Sequence, residues 1–164
     1  RMPAIAAING VAAGAGASIA MACDIAIAHP QASFIQAFSK IGLIPDSGGT
    51  FTLPRLVGFQ RASALMMLGD KVTAADAERM GMIYKCLAGE DFMNQALNIA
   101  ATLAQMPTLA FSYTKQALNQ SLQNNFFDQL ELEDKLQNKA AITQDYQEGV
   151  NAFMEKRKPQ FEGK

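Results

Sequence analysis

The 164-residue sequence has no tryptophan, a single histidine and two cysteines. Cys23 and Cys86 stand far apart, with no second Cys or His at ligand spacing. That excludes a zinc site or a disulfide framework readable from spacing, and a reducing cytoplasm is the expected compartment. An excess of charge is also missing, because 14 Lys and Arg stand against 15 Asp and Glu. Without a basic face the chain cannot supply the phosphate neutralisation on which nucleic-acid binding depends, so no nucleic-acid partner is expected. Long unbroken apolar runs are absent too. The opening RMPAIAAINGVAAGAGASIAMACDIAIA has the composition of a signal peptide or membrane span, but Asn9, the glycines at 10, 14 and 16, and Asp24 interrupt it. No stretch of about 20 apolar residues remains, and no membrane partner is expected. Position 1 is arginine and the chain opens directly on a strand-like segment, which leads to the expectation that this is the C-terminal part of a longer protein.

What is present is a nearly uncharged first third. Up to Pro54 the ionised side chains are Arg1, Asp24, Lys40 and Asp46, with His29 beside them. Residues 4–8 (AIAAI) read as a buried strand, Asn9-Gly10 as a turn, and the small-residue stretch ending in IAMAC as a tightly packed helix. IAIA at 25–28 and ASFIQ at 32–36 read as further short strands, followed by the turn-rich loop KIGLIPDSGGT. From Arg61 the apolar period becomes helical, Thr73 is a candidate N-cap with Asp76 three residues on, and Gly81 is a stop. A short strand at 82–87 precedes helices near 90–105, 108–123, 126–142 and 144–157. The expected organisation is an α/β core over 1–89 and a helical region over 90–164. Met66, Met67, Met80 and Met82 are expected to fill gaps in the core.

Several residues could carry chemistry. Gly14 to Ser18 lies where a turn enters a helix, and small residues there let a ligand oxygen approach unpaired backbone N–H groups at the positive helix end. Spacing alone leaves close helix packing as the other explanation. Asp46, in Pro45-Asp46-Ser47-Gly48-Gly49-Thr50, is either a turn former or a proton-transferring carboxylate whose pKa desolvation would raise. Asp24 follows a helix and precedes a strand, a position that suits satisfying backbone donors. His29 has no nucleophile or acid beside it and reads as a surface residue. Lys156, Arg157 and Lys158 after Phe153 form either a solvated helix terminus or a phosphate contact.

Taken in order, AAINGVAAGAGASIAMACDIAIA, IGLIPDSGGTFTLPRLVG, GDKVTAADAERMGMIYK and DYQEGVNAFMEKRKPQF span the chain and resemble the crotonase, or enoyl-CoA hydratase/isomerase, family. Within it, ASFIQAFSKIGLIPDSGGT together with the C-terminal segment is most similar to the isomerase branch that acts on ring-epoxidised phenylacetyl-CoA. The resemblance implies an α/β spiral of strand-strand-helix turns followed by a helical region used for trimerisation, as a homotrimer or dimer of trimers. It also implies an acyl-CoA thioester substrate, with coenzyme A entering as part of that substrate and no further cofactor or metal.

The same resemblance places one oxyanion donor at the backbone N–H of Ala15, at the start of the helix containing Gly16, and the second donor in a region ahead of Arg1. Hydratases of the family use two glutamates to handle one water, and Ser18 and Phe38 occupy those positions here. The family's isomerase aspartate falls on Asp46. Phe153 and Lys156 fall on positions that contact the adenine and a phosphate of coenzyme A across a subunit boundary. Enoyl- or dienoyl-CoA isomerases, a dehalogenase, or a catalytically incomplete binding or assembly fragment remain as alternatives.

Overall fold

The computed structural model describes residues 2–89 and 91–164. Arg1 and Glu90 lie outside that range, and with Glu90 the expected first residue of the fourth-last helix and the boundary drawn there. Two compact units are present, one spanning Ala4–Leu97 and the other Asn98–Lys164 with Met2 and Pro3. The division falls inside a helix rather than at the change of composition.

The first unit repeats a strand-strand-helix pattern. β1 (Ile5–Ile8), β2 (Val11–Ala13) and α1 (Ala15–Met21) are followed by β3 (Ile25–Ala28) and β4 (Ser33–Ile35). A 3₁₀ turn at Ala37–Ile41 and a loop then lead into α2 (Gly49–Val57) and α3 (Phe59–Leu68). β5 (Lys71–Thr73), α4 (Ala74–Arg79), β6 (Lys85–Cys86) and the start of α5 (Phe92–Ala104) complete the unit. Equivalent strands of successive turns lie side by side: β1 pairs in parallel with β3, Ile5 opposite Ile25, and β2 with β4, Val11 opposite Ser33. β6 extends the first sheet in parallel and β5 closes the second antiparallel to β4.

Parallel strands covered on both faces read as unbroken apolar runs, as IAIA of β3 does, whereas the residues of β1, expected to be buried, are only half-buried among the described residues. The core gathers Ala17, Phe34, Leu53, Val72 and Met82. Ile27 and Leu53 are fully buried, each contributing about 1.5–3 kcal/mol. Asp24 has the structural role expected of it, because its Oδ2 accepts the Ala4 N–H at 2.7 Å while its own N–H donates to the Ala4 carbonyl at 3.0 Å, tying the starts of β1 and β3 together. His29 is half-buried in a turn, where Nδ1 accepts the Gln31 N–H at 3.2 Å and the ring packs edge-on against Phe92.

The structure adds to or changes the sequence reading in three places. β2 and β5 are strands that the sequence reading passed over, since VAA continues the small-residue run and KVT leads straight into the capped α4. FTLPRLV lies in α2, although Pro54 withholds the N–H that would bond to the Thr50 carbonyl. The apolar residues Leu53 and Val57 bury the helix face despite that loss. Met82 is core and Met66 and Met80 pack on it, but Met67 is 75% exposed. It falls off the stripe formed by Ala62, Leu65 and Met66, the side of α3 that meets the core.

The second unit contains the remainder of α5, then α6 (Thr108–Ser121), α7 (Phe126–Ala141) and α8 (Gln144–Glu155), close to the spans expected. Local capping explains where they start. Asn125 Oδ1 accepts the Asp128 N–H at 3.0 Å and Thr143 Oγ1 accepts that of Tyr146 at 3.1 Å, each cap contributing about 1 kcal/mol. Thr73 does the same for Asp76 at 3.1 Å in the first unit, as the sequence indicated. Among the described residues no helix is long and apolar enough to cross a membrane.

Candidate active site

The turn from β2 into α1 is built on Gly14, whose φ of 53° and ψ of −125° lie where a side chain would be strained. Its N–H donates to the Ile35 carbonyl at 2.9 Å, and its carbonyl accepts the N–H groups of Ala17 and Ser18 at 3.1 and 3.2 Å. A trans peptide sets its carbonyl and the following N–H on opposite sides. Since the Gly14 carbonyl turns into the helix, the Ala15 N–H turns out of it. Among the described residues neither the Ala15 nor the Gly16 N–H has an acceptor, as the first turn of a helix requires. A methyl group at Gly16 would meet nothing within 4 Å, so the glycine here opens space instead of serving close packing.

Close packing occurs two residues further on. Ser18 is fully buried, and a β-carbon built on Gly49 would lie 2.5 Å from its Oγ. Gly49 therefore lets α2 approach α1 across Ser18. The same glycine donates its N–H to the Asp46 carbonyl at 2.9 Å. A continuous run of contacts, Ala15 through Gly14, Ser18 and Gly49 to Asp46, thus links the segments that carry two candidate positions 31 residues apart in sequence.

Asp46 is exposed, and its Oδ1 accepts the Ser47 hydroxyl at 3.1 Å. The desolvation anticipated from the apolar composition around it is not supplied by the described residues. Composition counts neighbours along the chain, whereas this loop projects its carboxylate away from the core. Ser47 at φ 51° and Gly48 at φ 76° form the left-handed corner that turns the loop into α2. Phe38 is buried, with its far ring edge over Gly14: a methyl there would meet Cζ, Cε2 and Cε1 at 3.6–3.9 Å.

Phe153 and Lys156 belong to the second unit. Phe153 is 82% exposed and borders an open apolar cleft of ≈ 450 Å³ with Tyr146, Val150, Met154 and Phe161. Lys156 ends α8 in a left-handed conformation, φ 55°, with its side chain in solvent. The basic cluster is smaller than the sequence suggests. Arg157 forms a two-pronged pair with Glu148 at 2.6 and 2.8 Å and also reaches Glu155, leaving Lys156 without an ion-pair partner among the described residues. The Arg157 bonds and then the Gln160 N–H at 2.8 Å hold Glu148 down at about 2, while Glu148 and then Glu155 push the Arg157 pKa upward.

Sequence reasoning missed both this pair and Asp145, a buried carboxylate that accepts the N–H groups of Glu162 and Gly163 at 2.7 and 3.0 Å. Neither has a local signal, because the partners meet only after the chain turns back beyond α8. Burial raises the Cys86 pKa, and the neighbouring Glu78 charge adds to it.

The enoyl-CoA hydratase/isomerase family model matches residues 1–164. The 1,2-epoxyphenylacetyl-CoA isomerase of Escherichia coli is 48% identical over 162 residues, covering 99% of this chain and 62% of the relative. A Rhodobacter capsulatus protein named "Probable enoyl-CoA hydratase" is 45% identical over 163 residues, covering 99% and 63%. A solved enoyl-CoA hydratase of Bacillus anthracis superposes with a TM-score of 0.94 at 34% identity, covering 99% of this chain and 63% of that one. The chain thus spans less than two-thirds of the length of these proteins, and it shares their crotonase-like α/β architecture.

Proposed function

The chain belongs to the enoyl-CoA hydratase/isomerase family, and from that premise we propose that it is part of an isomerase acting on a CoA thioester, with ring-1,2-epoxyphenylacetyl-CoA as substrate and oxepin-CoA as product. The observation that carries the reading is the coupling of the Asp46 loop to the Gly14–Ala15 turn through Ser18 and Gly49. It supports placing a carboxylate and an outward N–H on one substrate.

In this reading Asp46 removes the proton alpha to the thioester carbonyl, and the Ala15 N–H is one of the donors that stabilise the developing enolate oxygen. Gly16 leaves room for the thioester to approach. The proton taken from the α-carbon returns at another carbon, so atoms are conserved and the bond pattern alone changes. Substrate covering the exposed carboxylate would supply the desolvation that the described residues lack. Ser18 is buried in a helix contact and Phe38 has no ionisable group, which disfavours addition of water by a pair of carboxylates. The thioester and its oxyanion donors supply the activation, so the proposed reaction calls for no metal or nicotinamide.

Phe153 and Lys156 are the proposed adenine and phosphate contacts. Exposed Leu118, Phe126 and Phe127 support self-association of the helical region as a trimer or a dimer of trimers.

The test is incubation of the protein with epoxyphenylacetyl-CoA and with simple enoyl-CoA esters in heavy water. Conversion of the epoxide thioester, with deuterium at the carbon that receives the proton, is expected, and both are expected to be lost in Asp46→Asn. Addition of water across an enoyl-CoA at a comparable rate would favour a hydratase instead.

A further inference from the structure

The interior around the Gly14 turn contains one aromatic ring whose place the proposed chemistry leaves unexplained. Phe38 is 7% exposed, and its backbone is held by the Leu43 N–H, which donates to the Phe38 carbonyl at 3.0 Å. The far edge of the ring faces Gly14 at a distance that would just accommodate a methyl group. Three residues before Phe38, the Ile35 carbonyl accepts the Gly14 N–H. The segment 35–38 thus grips Gly14 through a hydrogen bond at one end and roofs it with an apolar ring at the other.

We propose that Phe38 is a positioning residue for the thioester carbonyl: its ring keeps water from the flank of the Gly14–Ala15 peptide and so holds the Ala15 N–H aimed at the substrate oxygen. The inference rests on the reading that this N–H binds that oxygen. Water admitted beside Gly14 would compete for the bonds to Ile35, Ala17 and Ser18 that set the peptide's orientation. A left-handed glycine has many other conformations available once those bonds weaken. A donor fixed in advance in a dry site is worth more to a developing charge than a mobile one, and the benefit appears in the transition state. Loss of the ring should therefore lower kcat and leave KM nearly unchanged.

The experiment compares Phe38→Leu with Phe34→Leu in the intact protein. Phe34 is a core residue on β4 at 2% exposure, and its truncation controls for lost packing alone. The probe is an acyl-CoA thioester carrying carbon-13 at the carbonyl, whose infrared stretch moves to lower frequency when hydrogen bonds polarise it. The unmodified protein should show that shift on binding. Phe38→Leu should lose most of it and about tenfold or more in kcat, with KM within about twofold, since one oxyanion donor contributes ~10²–10³ in rate. Phe34→Leu should lose thermal stability but keep the shift. If Phe38→Leu does not fold, Phe38→Met, closer in volume, takes its place. A Phe38 variant that keeps both shift and kcat overturns the inference. Absence of the shift in the unmodified protein instead overturns the reading of Ala15, and the role of Phe38 falls with it.

Discussion

Gly49 meets Ser18 so closely that a β-carbon at position 49 would lie 2.5 Å from the Ser18 hydroxyl oxygen and 3.4 Å from its Cβ. The contact sets the spacing between α1 and α2. It also determines where the loop carrying Asp46 sits relative to the turn carrying Ala15. Gly49→Ala must separate the helices, and a destabilisation of about 1–3 kcal/mol is expected from overpacking. Ser18→Ala removes the nearer atom and should restore most of the loss. A double-mutant cycle read by thermal or denaturant unfolding checks this, and additive single effects would show that the two residues are not coupled.

Asp46→Asn preserves the shape of the loop and the acceptor for the Ser47 hydroxyl while removing the proposed base. Turnover is expected to fall by about 10²–10⁴, the range for a positioned general base. Because the side chain is exposed, the unfolding midpoint should stay near that of the unmodified protein. Retained turnover would make Asp46 a turn residue only.

Lys156 allows backbone and charge to be separated. Its left-handed φ of 55° carries a conformational cost that glycine does not have. Lys156→Gly should therefore raise stability by about 1 kcal/mol while raising KM for a CoA ester. Lys156→Ala should raise KM without the gain in stability, and both increases should shrink as salt screens the proposed phosphate contact. Unchanged KM in both variants would leave Lys156 as a helix terminus and nothing more.

Glu148 governs an acid-sensitive part of the second unit. Its carboxyl is lowered from the usual 4.5 to about 2 in the folded protein, first by the Arg157 hydrogen bonds and then by the Gln160 N–H. A depressed folded-state pKa contributes stability above the unfolded value and loses it as pH falls through the folded one. The difference in unfolding midpoint between the protein and Glu148→Gln should be full above about pH 4.5–5 and vanish toward pH 2. A difference independent of pH would assign the effect to packing.

Legibility differed between elements for physical reasons. The four C-terminal helices could be read because each exceeds ten residues, enough for the helical period to repeat, and two begin at Asn125 and Thr143, whose side chains cap locally. β2 continues a small-residue run and β5 leads straight into α4, so neither stands out along the chain. Pro54 stands inside α2, where burial of Leu53 and Val57 sustains the helix. Asp24 could be judged structural because a carboxylate between a helix and a strand suits a backbone donor, although the donor, Ala4, lies 20 residues away at the start of β1.

From its sequence alone this protein carried its family resemblance, the glycine at the mouth of α1 and the identity of a lone acid in the IPDSGG loop, since all three are properties of residue order. Tertiary structure decided the rest. Whether Asp46 is buried or exposed depends on which way a loop points, and whether Arg157 is available to a ligand depends on a glutamate nine residues earlier that meets it only when the chain reverses after α8. The closeness of Ser18 to Gly49, two positions 31 residues apart, likewise exists only after two helices have packed. Exposure, ion pairing and interhelical approach are distances between parts of the chain that local propensity cannot encode, because they are established when separated segments bury their apolar faces against one another.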